Sequence, residues 1–557
     1  MEAPTVIVLG GGVGGMSAAH ELAERGFKVT VYELREVPGG KARSIPVPGS
    51  GVGGRADLPG EHGFRFFPGF YRHLPDTMKR IPFCDQGQGV FDNLVPTTRA
   101  AFVREGQLPV VIPDVFPRSV REALGAIPLA VGNRTGLSWT DLAYFAGRVA
   151  LLLSSCRERR FDEWENVDWW DFVAAGGRCS AYQSLLADGM TRRTVGAQAK
   201  QASTRTIGYV LIALFQSLLV PGGELDRVLN GPTSDVWISP WLEHLRSMAV
   251  DYHTNATVSS ISCQGGRITG VDISEAGRST TRTADYYVSA LPVEIMRDLV
   301  TEEMARAEPA LGQIHRLNLV WMNGIQFYLA NDVPVVHGHV TYNDAPFALT
   351  SVSQRQFWPD VDFAQLGDGR VKGILSVDVS DWDTPGILYG RPANELTPGE
   401  VKDEVWAQLK AHLNQYGNVR LHDSDLLSWF LDPDVVGPNR GVQGMNLEPT
   451  LVNTSGSWSW RPGAVTAIDN LFLASDYVRS NTDLASMEGA NEAARRAVNG
   501  IINRSGFGGR KCRIWELPGL PGFGPLRAFD VVRVWLGLRN LRPGSNERTS
   551  RAHRRAP

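Results

Sequence analysis

The hydrophobic pattern at the N-terminus predicts a strand, a helix and a second strand. Residues 5–9, TVIVL, are continuously apolar, which is typical of a parallel strand buried on both faces of a sheet. The next segment places Ala18, Ala19 and Leu22 on one helical face, and a second apolar strand, KVTVY, ends at Glu33. This order predicts an α/β fold that starts with a Rossmann-like unit.

Changes of pattern along the rest of the chain predict interleaved domains. Helical segments follow the first unit, alternating strand patterns then return, and later stretches mix strand and helix signals. We therefore predict a discontinuous Rossmann-like domain at residues 1–85, 241–300 and 456–504. The chain between these stretches should form a mixed α+β domain, mostly helical at 86–240 and sheet-forming at 301–455, and a C-terminal tail follows at 505–557. The length of 557 residues suits two or three domains.

Glycines between the first strand and the helix predict a dinucleotide site. Gly10, Gly12 and Gly15 have the G-x-G-x-x-G spacing, which permits a tight turn, close approach of the backbone to a pyrophosphate, and close packing of helix on strand. Glu33 is placed to accept hydrogen bonds from an adenosine ribose. A glycine-rich turn that binds nothing is the alternative interpretation.

A second glycine pair indicates which dinucleotide. Gly39 and Gly40 follow Glu33 and precede Lys41 and Arg43. This element resembles the GG[RK] element of the flavoprotein superfamily of amine oxidases and carotenoid desaturases. The similarity implies a GR2-type FAD-binding domain with a discontinuous mixed α+β substrate domain. A surface loop with two solvated cations is the alternative.

The C-terminal motif narrows the resemblance. The strand NLFLASDYV ends in Asp476, whose carboxylate suits the ribityl hydroxyls of a flavin. The motif LASMEGA then opens a helix, which we place from Gly489 and whose solvent-exposed face includes Arg495. LASMEGA is similar to plant- and cyanobacterial-type carotene desaturases and to bacterial hydroxysqualene dehydroxylases. Amine oxidases of the superfamily usually carry an aromatic residue where this chain has Ser486. Ser475, in place of the usual glycine, is a further departure that leaves the substrate open.

The motifs and the resemblance together imply a set of cofactor-binding residues. They are Gly10, Gly12, Val13, Gly14, Gly15, Glu33, Leu34, Gly39, Gly40, Lys41, Ala42, Arg43, Gly63, Phe64, Arg65, Phe66, Val258, Ala290, Asp476, Met487, Glu488 and Ala490. Candidates for catalysis, by position alone, are Arg65, Tyr71 and His73. Arg65 stands where desaturases tend to have histidine. We find no convincing Ser/His/Asp or Cys/His set and expect no metal site.

Net charge and the length of the apolar runs argue against a nucleic-acid-binding protein and against a membrane-spanning helix. The net charge of −3 gives no reason to expect nucleic acid, and five scattered cysteines without a CxxC pair fit a reducing cytoplasm. The longest apolar run, at residues 207–220, is too short to span a bilayer, so a buried helix and a membrane-dipping or tunnel-lining helix are the two interpretations.

These observations predict an FAD-dependent desaturase or dehydrogenase. It would transfer a hydride from a hydrophobic, isoprenoid or carotenoid-like substrate to flavin N5, with oxygen or a quinone as the final acceptor. A flavin amine oxidase that uses oxygen is the main alternative, and a non-enzymatic lipid-binding protein on the same fold is the second.

The tail carries a basic amphipathic pattern. Leu526, Phe529, Val532 and Leu536 fall on one side of a predicted helix, and arginines are interspersed and follow it. Such a helix either lies in a membrane interface or docks on the protein's own surface. We therefore expect a cytoplasmic protein, with peripheral membrane association as the open alternative.

Overall fold

The computed structural model describes residues 2–84, 87–114, 136–189, 191, 196–219, 224–438, 444–517 and 522–538. The glycine motifs and the C-terminal motif lie within these ranges. The arginine-rich end of the tail, from residue 539, lies outside the described residues.

A five-stranded parallel sheet supports the glycine motifs. Its strands, in spatial order, are Leu471–Leu473, Tyr286–Ser289, Thr5–Leu9, Lys28–Tyr32 and Asp251–His253. Because parallel neighbours need crossover connections, the chain leaves this sheet and returns to it four times, and the long connections at residues 33–250 and 290–470 make the unit discontinuous. The exact domain boundaries stay predictions.

A seven-stranded sheet forms the second large layer. Its order is Leu426–Leu431, Asn323–Leu329, Gly373–Val379, Thr350–Ser353, Val340–Tyr342, Arg99–Val103 and Val110–Pro113. The pairing is antiparallel except between Val340–Tyr342 and Arg99–Val103. Helix Pro398–Leu413 packs on one face through a shared apolar core. The other face is available to line a cavity.

Smaller elements connect these layers. A three-stranded antiparallel sheet comprises Ala256–Gln264, Arg267–Glu275 and Arg278–Arg282, with a hairpin turn at Gly265 and Gly266. Two-stranded pairs join Ser44–Pro46 to Pro59–Glu61, Leu94–Pro96 to Arg227–Leu229, Asn318–Val320 to Thr450–Val452, and Val435–Val436 to Met445–Asn446. Further α-helices are Val13–Ala23, His73–Met78, Trp139–Ser154, Arg157–Asp162, Trp169–Phe172, Ser180–Tyr182, Thr204–Leu219, Ser239–Ser247, Val293–Leu299, Glu302–Ala307, Met487–Ser505 and Gly524–Trp535.

The predicted apolar run belongs to helix Thr204–Leu219. Ile207, Val210 and Leu211 are buried in the protein. None of the helices in the described part of the chain combines the length and apolar character that crossing a bilayer requires. The segment is therefore buried, and Val210, Leu211 and Leu214 also line the cavity described below, which agrees with the tunnel-lining interpretation too.

The C-terminal motif helix begins at Met487, two residues earlier than the sequence indicates. Ser486 caps it, because its Oγ accepts a hydrogen bond from the Gly489 N–H at 3.1 Å. Arg495, expected on the wet side, is instead buried, and its guanidinium donates to Asn491 and to Asp76. The helix is covered on that side as well, by a segment that the local pattern does not reveal.

Candidate active site

Two glycine loops meet at the ends of the parallel strands. The Gly39 N–H donates to the Gly11 carbonyl oxygen at 3.0 Å, and Gly10 and Gly39 have φ of +96° and +103°. A Cβ on Gly40 would lie 3.0 Å from the Cα of Gly12. Only glycines permit this approach, because side chains rarely adopt such φ angles and would fill the space.

Helix Val13–Ala23 points its N-terminus at this cradle. Its N-cap, Gly12, makes no side-chain cap, so the first N–H groups of the helix stay available to an anion. Gly14 and Gly15 allow close packing: a Cβ on either would lie 1.9 Å from a backbone oxygen, of Ala474 and Gly10 respectively. The arrangement fits a pyrophosphate. Gly15 itself lies behind the cavity wall and packs against the turn rather than facing a ligand.

Glu33 lies at the edge of the cradle. Its carboxylate oxygens accept hydrogen bonds from the N–H groups of Gly11 at 2.6 Å and Arg35 at 2.8 Å. Burial raises the pKa of Glu33, while these two bonds act to lower it. The Tyr252 hydroxyl, which sequence reasoning missed, donates to the Gly11 carbonyl oxygen at 2.9 Å and fixes the turn from the other side.

One cavity of about 1100 Å³ runs from this cradle into the second layer. Ligand pockets typically have roughly 300–1,000 Å³, so this cavity has room for a dinucleotide together with a substrate. It brings together most of the predicted site residues: Gly10, Gly12, Val13, Gly14, Glu33, Leu34, Gly39, Gly40, Lys41, Ala42, Gly63, Phe64, Arg65, Phe66, Tyr71, Val258, Ala290, Asp476, Met487 and Ala490.

Glu488 and His73 are not brought into the cavity wall. The Glu488 carboxylate turns away and accepts the N–H groups of Arg72, His73 and Leu74 at 2.7–2.8 Å. The His73 ring donates from Nδ1 to Glu488 and accepts the Trp515 N–H at Nε2. On a helix, position 488 points about 100° away from 487, which explains why Met487 faces the cavity and Glu488 does not. The structure thus corrects the expected cofactor contact of Glu488 and the catalytic candidacy of His73.

Arg43 is a second departure from the expected cofactor set. It is buried, and its guanidinium donates to Asp434 at 2.8 Å and to Glu448 at 2.9 Å. His62, Asp432 and Glu448 bring their ligand atoms within 4.8 Å of one another beside it. Because the His62 ring bonds to Asp432 at 2.5 Å and Arg43 bonds to Glu448, the group is an internal ion-pair network.

The cavity has an apolar arm in the helical part of the chain. Six leucines line it: Leu137, Leu142, Leu185, Leu186, Leu211 and Leu214. They come from helices Trp139–Ser154 and Thr204–Leu219 and from the segments beside them. The arm suits a long apolar chain, because burying apolar surface stabilises by roughly 25 cal/mol per Å².

The opposite wall is one face of the seven-stranded sheet. Alternate residues of neighbouring strands line it, including Ala100 and Phe102, Val110 and Ile112, and Thr341. Strand residues two apart share a face, so this wall follows from the register of the sheet. Arg65 apart, sequence reasoning did not identify the titratable side chains that line this part of the cavity, because they come from distant segments: Asp114, Asp226, His339 and Asp378.

Arg65 and Asp378 face each other at this wall. The Arg65 guanidinium donates to the carbonyl oxygens of Gly63, at 2.7 Å, and Lys41. Asp378 accepts the Phe64 N–H at 3.3 Å. Burial raises the pKa of Asp378 to about 7, against the lowering effect of the Arg65 charge. Asp378 is therefore a carboxyl group that gains and loses a proton near neutrality.

Tyr71 and Ser486 close the side of the cavity near the C-terminal motif. Burial raises the pKa of Tyr71, which keeps its phenol protonated. The Ser486 hydroxyl donates to the Leu484 carbonyl oxygen at 3.1 Å and serves as the helix cap. Both side chains line the cavity beside Met487. Ser486 therefore has a structural role and presents no ring to the cavity.

The glycine cradle, the buried acid at the end of the second strand and the large cavity define a dinucleotide-dependent oxidoreductase. The family model of flavin-containing amine oxidoreductases matches residues 13–502. The chain belongs to this family. This confirms the predicted superfamily, the FAD cofactor and the assignment as an FAD-dependent oxidoreductase.

Individual relatives are distant but match over most of their length. The chain is 23% identical over 516 residues to a 15-cis-phytoene desaturase of Synechococcus elongatus, covering 90% of this chain and 96% of that one. It is 24% identical over 542 residues to a zeta-carotene desaturase of Synechocystis, covering 89% and 97%. Among solved structures, cyclohexylamine oxidase from Brevibacterium oxydans superposes with a TM-score of 0.59 at 14% identity, covering 90% and 100%. The last likeness confirms the fold class.

Proposed function

We propose that this protein is an FAD-dependent desaturase that removes two hydrogens from a long isoprenoid or carotenoid-like chain. The observation that carries the proposal is the single cavity that joins the glycine cradle to the six-leucine arm. A purely polar substrate would leave that arm without a partner. The names of the desaturases to which the chain is similar support the same substrate class.

We propose that the cradle residues hold the dinucleotide. Gly10, Gly12 and Gly39 approach the pyrophosphate, Glu33 faces the adenosine ribose, and Asp476 faces the ribityl chain. When bound, FAD accepts a hydride equivalent from the substrate. The final acceptor of the electrons would be oxygen or a quinone.

Desaturation also releases a proton from the neighbouring carbon, and Asp378 is the proposed acceptor. Its carboxyl group lines the cavity, and its pKa of about 7 suits a base that works near neutrality. Arg65 keeps the ionised form in place through its charge, and Tyr71 stays protonated and does not compete. In the desaturation two C–H bonds would break and one C=C bond would form: FAD, when bound, would supply the hydride acceptor, and Asp378 would take the proton.

Anaerobic mixing distinguishes this proposal from an amine oxidase. We expect the flavin absorbance to bleach with an isoprenoid or carotenoid substrate and to stay unchanged with primary amines, because Ser486 presents no aromatic wall to orient an amine. The measurement is the flavin spectrum after addition of a panel of carotenoids, squalene derivatives and amines. Bleaching by amines, with peroxide release in air, would instead support the alternative function.

We further propose that helix Gly524–Trp535 binds a membrane interface. It docks on the protein through its acid: Asp530 is buried and bonds to Arg159 at 2.9 Å and to the Cys156 N–H at 2.8 Å. Its apolar residues face outward: Leu526, Phe529, Val531, Val532, Trp535 and Leu536, with Trp535 83% exposed. Contiguous exposed apolar patches mark interaction sites. The arginines that follow in the sequence match the charge of anionic lipid headgroups.

The double variant with Phe529→Ser and Trp535→Ser tests the proposed binding to a membrane interface. We expect its binding to anionic phospholipid vesicles to weaken about tenfold or more, because each ring contributes on the order of 1.5–3 kcal/mol when buried. Vesicle flotation measures the bound fraction. The matched control is the double variant with Ile387→Ser and Tyr389→Ser. These two exposed residues are distant in the sequence from helix Gly524–Trp535, so their replacement should leave vesicle binding unchanged. Equal flotation of both double variants would contradict the proposal.

A further inference from the structure

The ring of His62 lines the cavity with one of its two nitrogens still available. Nδ1 bonds to Oδ2 of Asp432 at 2.5 Å, whereas Nε2 has no hydrogen-bond partner among the described residues. The side chain is 7% exposed. Nε2 keeps accessible surface, in contrast to the sealed polar atoms of Asn343, which also lines the cavity. A ligand in the cavity can therefore reach Nε2, and the proposed proton transfer to Asp378 does not use it.

Asp432 determines which nitrogen of the His62 ring carries the hydrogen. Its Oδ1 accepts the Asp434 N–H at 2.8 Å, and its Oδ2 faces Nδ1 of His62. Although burial acts to raise it, the pKa of Asp432 is lowered by the hydrogen bond from His62. The carboxylate is therefore ionised and only accepts hydrogen bonds. Nδ1 carries the hydrogen, and the neutral ring presents the lone pair of Nε2 to the cavity.

His62 lies between the glycine cradle and the wall that holds the proposed base. On the cradle side, Arg43 donates to the Gly40 carbonyl oxygen and to Glu448, each at 2.9 Å. Oε2 of Glu448 lies 3.7 Å from Nδ1 of His62. On the other side, the next residue of the chain packs against the proposed base, because a Cβ there would lie 2.7 Å from Oδ1 of Asp378. A dinucleotide that passes the cradle therefore reaches His62 with its second half.

The neighbouring charges hold this region in place before a ligand binds. Asp434 accepts from both Arg35 and Arg43 at 2.8 Å. Glu448 accepts from the same two arginines, at 3.2 Å and 2.9 Å. These groups bond to one another within the protein, whereas the His62 ring is held at one nitrogen and offers the other. A group that is already positioned loses little conformational entropy when it binds a ligand.

We infer that His62 binds FAD, and that its Nε2 accepts a hydrogen bond from a donor on the flavin half of the cofactor. The flavin half offers such donors in its ribityl hydroxyls and in the imide N–H of its ring. The pyrophosphate offers acceptor oxygens, which do not match the lone pair of Nε2. The inference rests on the proposed placement of FAD along the cradle and is independent of the substrate.

Two variants separate the two nitrogens of His62. In His62→Asn the amide reaches the position of Nδ1 and keeps the bond to Asp432, but nothing replaces Nε2. In His62→Gln the amide reaches the position of Nε2, and its oxygen accepts the same hydrogen bond. Serial dilution of the FAD-loaded enzyme, followed by flavin fluorescence, measures the Kd of FAD. We expect His62→Asn to raise this Kd about 5- to 100-fold, since a desolvated group is left without its partner, and His62→Gln to stay close to the native value.

ADP supplies a readout that a loss of structure would not imitate. It carries the adenosine and the pyrophosphate but no flavin, and its Kd follows from its displacement of FAD from the loaded enzyme. We expect the Kd of ADP to be the same in His62→Asn as in the native protein. The matched control is His412→Asn, which should leave both Kd values unchanged. His412 is also buried and bonds to a carboxylate, Asp344, at 2.7 Å, but does not line the cavity.

The outcomes separate the inference from the proposed placement of FAD. An unchanged Kd of FAD in His62→Asn overturns the inference, and the placement stands. Equal losses of FAD and ADP affinity also overturn it, because the ring would then support the cradle and not bind the flavin half. A Gln variant as weak as the Asn variant overturns it as well. If ADP does not displace FAD from the native enzyme, the placement fails and the inference fails with it.

Discussion

Replacing Asp378 by asparagine is expected to slow flavin reduction by the substrate about 10²- to 10⁴-fold, the usual contribution of a positioned general base. The carboxyl group faces the cavity beside Arg65, and the change keeps its size and its bond from the Phe64 N–H. Stopped-flow mixing of enzyme and substrate without oxygen measures the rate. FAD content and substrate Kd should stay within about twofold, because the variant removes a charge and little volume.

The pH dependence gives a second readout for Asp378. A base must be deprotonated, so kcat/KM should rise with pH through the pKa of about 7, and this limb should vanish in Asp378→Asn. The contribution of Asp378 to the free energy of unfolding should change with pH in the opposite direction. Because the pKa of Asp378 in the folded protein lies above its ordinary value of 3.8, the folded state binds more protons between these two pH values and loses stability as the pH rises. The variant should therefore be as stable as the native protein or more so above pH 7.

A rate of flavin reduction that stays unchanged in Asp378→Asn would contradict the assignment. So would a slow variant that keeps the pH limb, since the titrating group would then be another residue. Thr350→Val serves as the control, because Thr350 lies opposite Asp378 in the sheet and lines the same wall. Its effect on the pH limb should be negligible.

Replacing Asp483 by asparagine should lower the free energy of unfolding by about 3–5 kcal/mol, the usual cost of breaking a buried ion pair. Asp483 bonds to Arg461 at 2.7 Å through Oδ1 and to Arg205 at 2.7 Å through Oδ2, and all three side chains are buried. Glu165 also pairs with Arg205, so the variant mainly leaves Arg461 without a counter-charge. Asparagine tolerates the φ of +47° at this position, which limits the effect to the charge.

Denaturant unfolding of the FAD-loaded protein, followed by release of flavin fluorescence, measures the change. Asp368→Asn is the matched control, because Asp368 pairs with Arg370 on the surface, where such pairs contribute about 0–1 kcal/mol. Equal losses in the two variants would show that the buried network contributes no more than a surface pair. Since Asp483 lies in the loop before Met487, we also expect weaker FAD retention in its variant.

Much of the dinucleotide-binding part of the site can be predicted from the sequence, because short-range patterns define it. Gly10 and Gly39 need positive φ, and the apolar strands and the helix between them are short-range patterns that no distant contact has to supply. The spacing of Gly10, Gly12 and Gly15 and the acid at Glu33 therefore predict the dinucleotide cradle. The same reasoning places Asp476 and Met487 at the cavity, because they end one element and begin the next.

Sequence reasoning fails where a side chain's role depends on its orientation toward distant segments. MEGA predicts a helix start, but only packing against residues 72–74 turns Glu488 away from the cavity. Arg495 has the spacing of a surface residue and is buried because helix His73–Met78 covers it. Arg43 follows the second glycine pair, yet Asp434 and Glu448 hold it behind the wall.

The sequence by itself determined the superfamily, the cofactor and the ends of the chain that form its site, since these depend on backbone conformations encoded within a few neighbouring residues. Only the tertiary structure decided which titratable side chains line the substrate part of the cavity. Asp114, Asp226, His339 and Asp378 stand far apart in the sequence, and the pairing of strands brings them to one cavity wall. Burial raises the pKa values of Asp114 and Asp378, and no local sequence pattern records that burial.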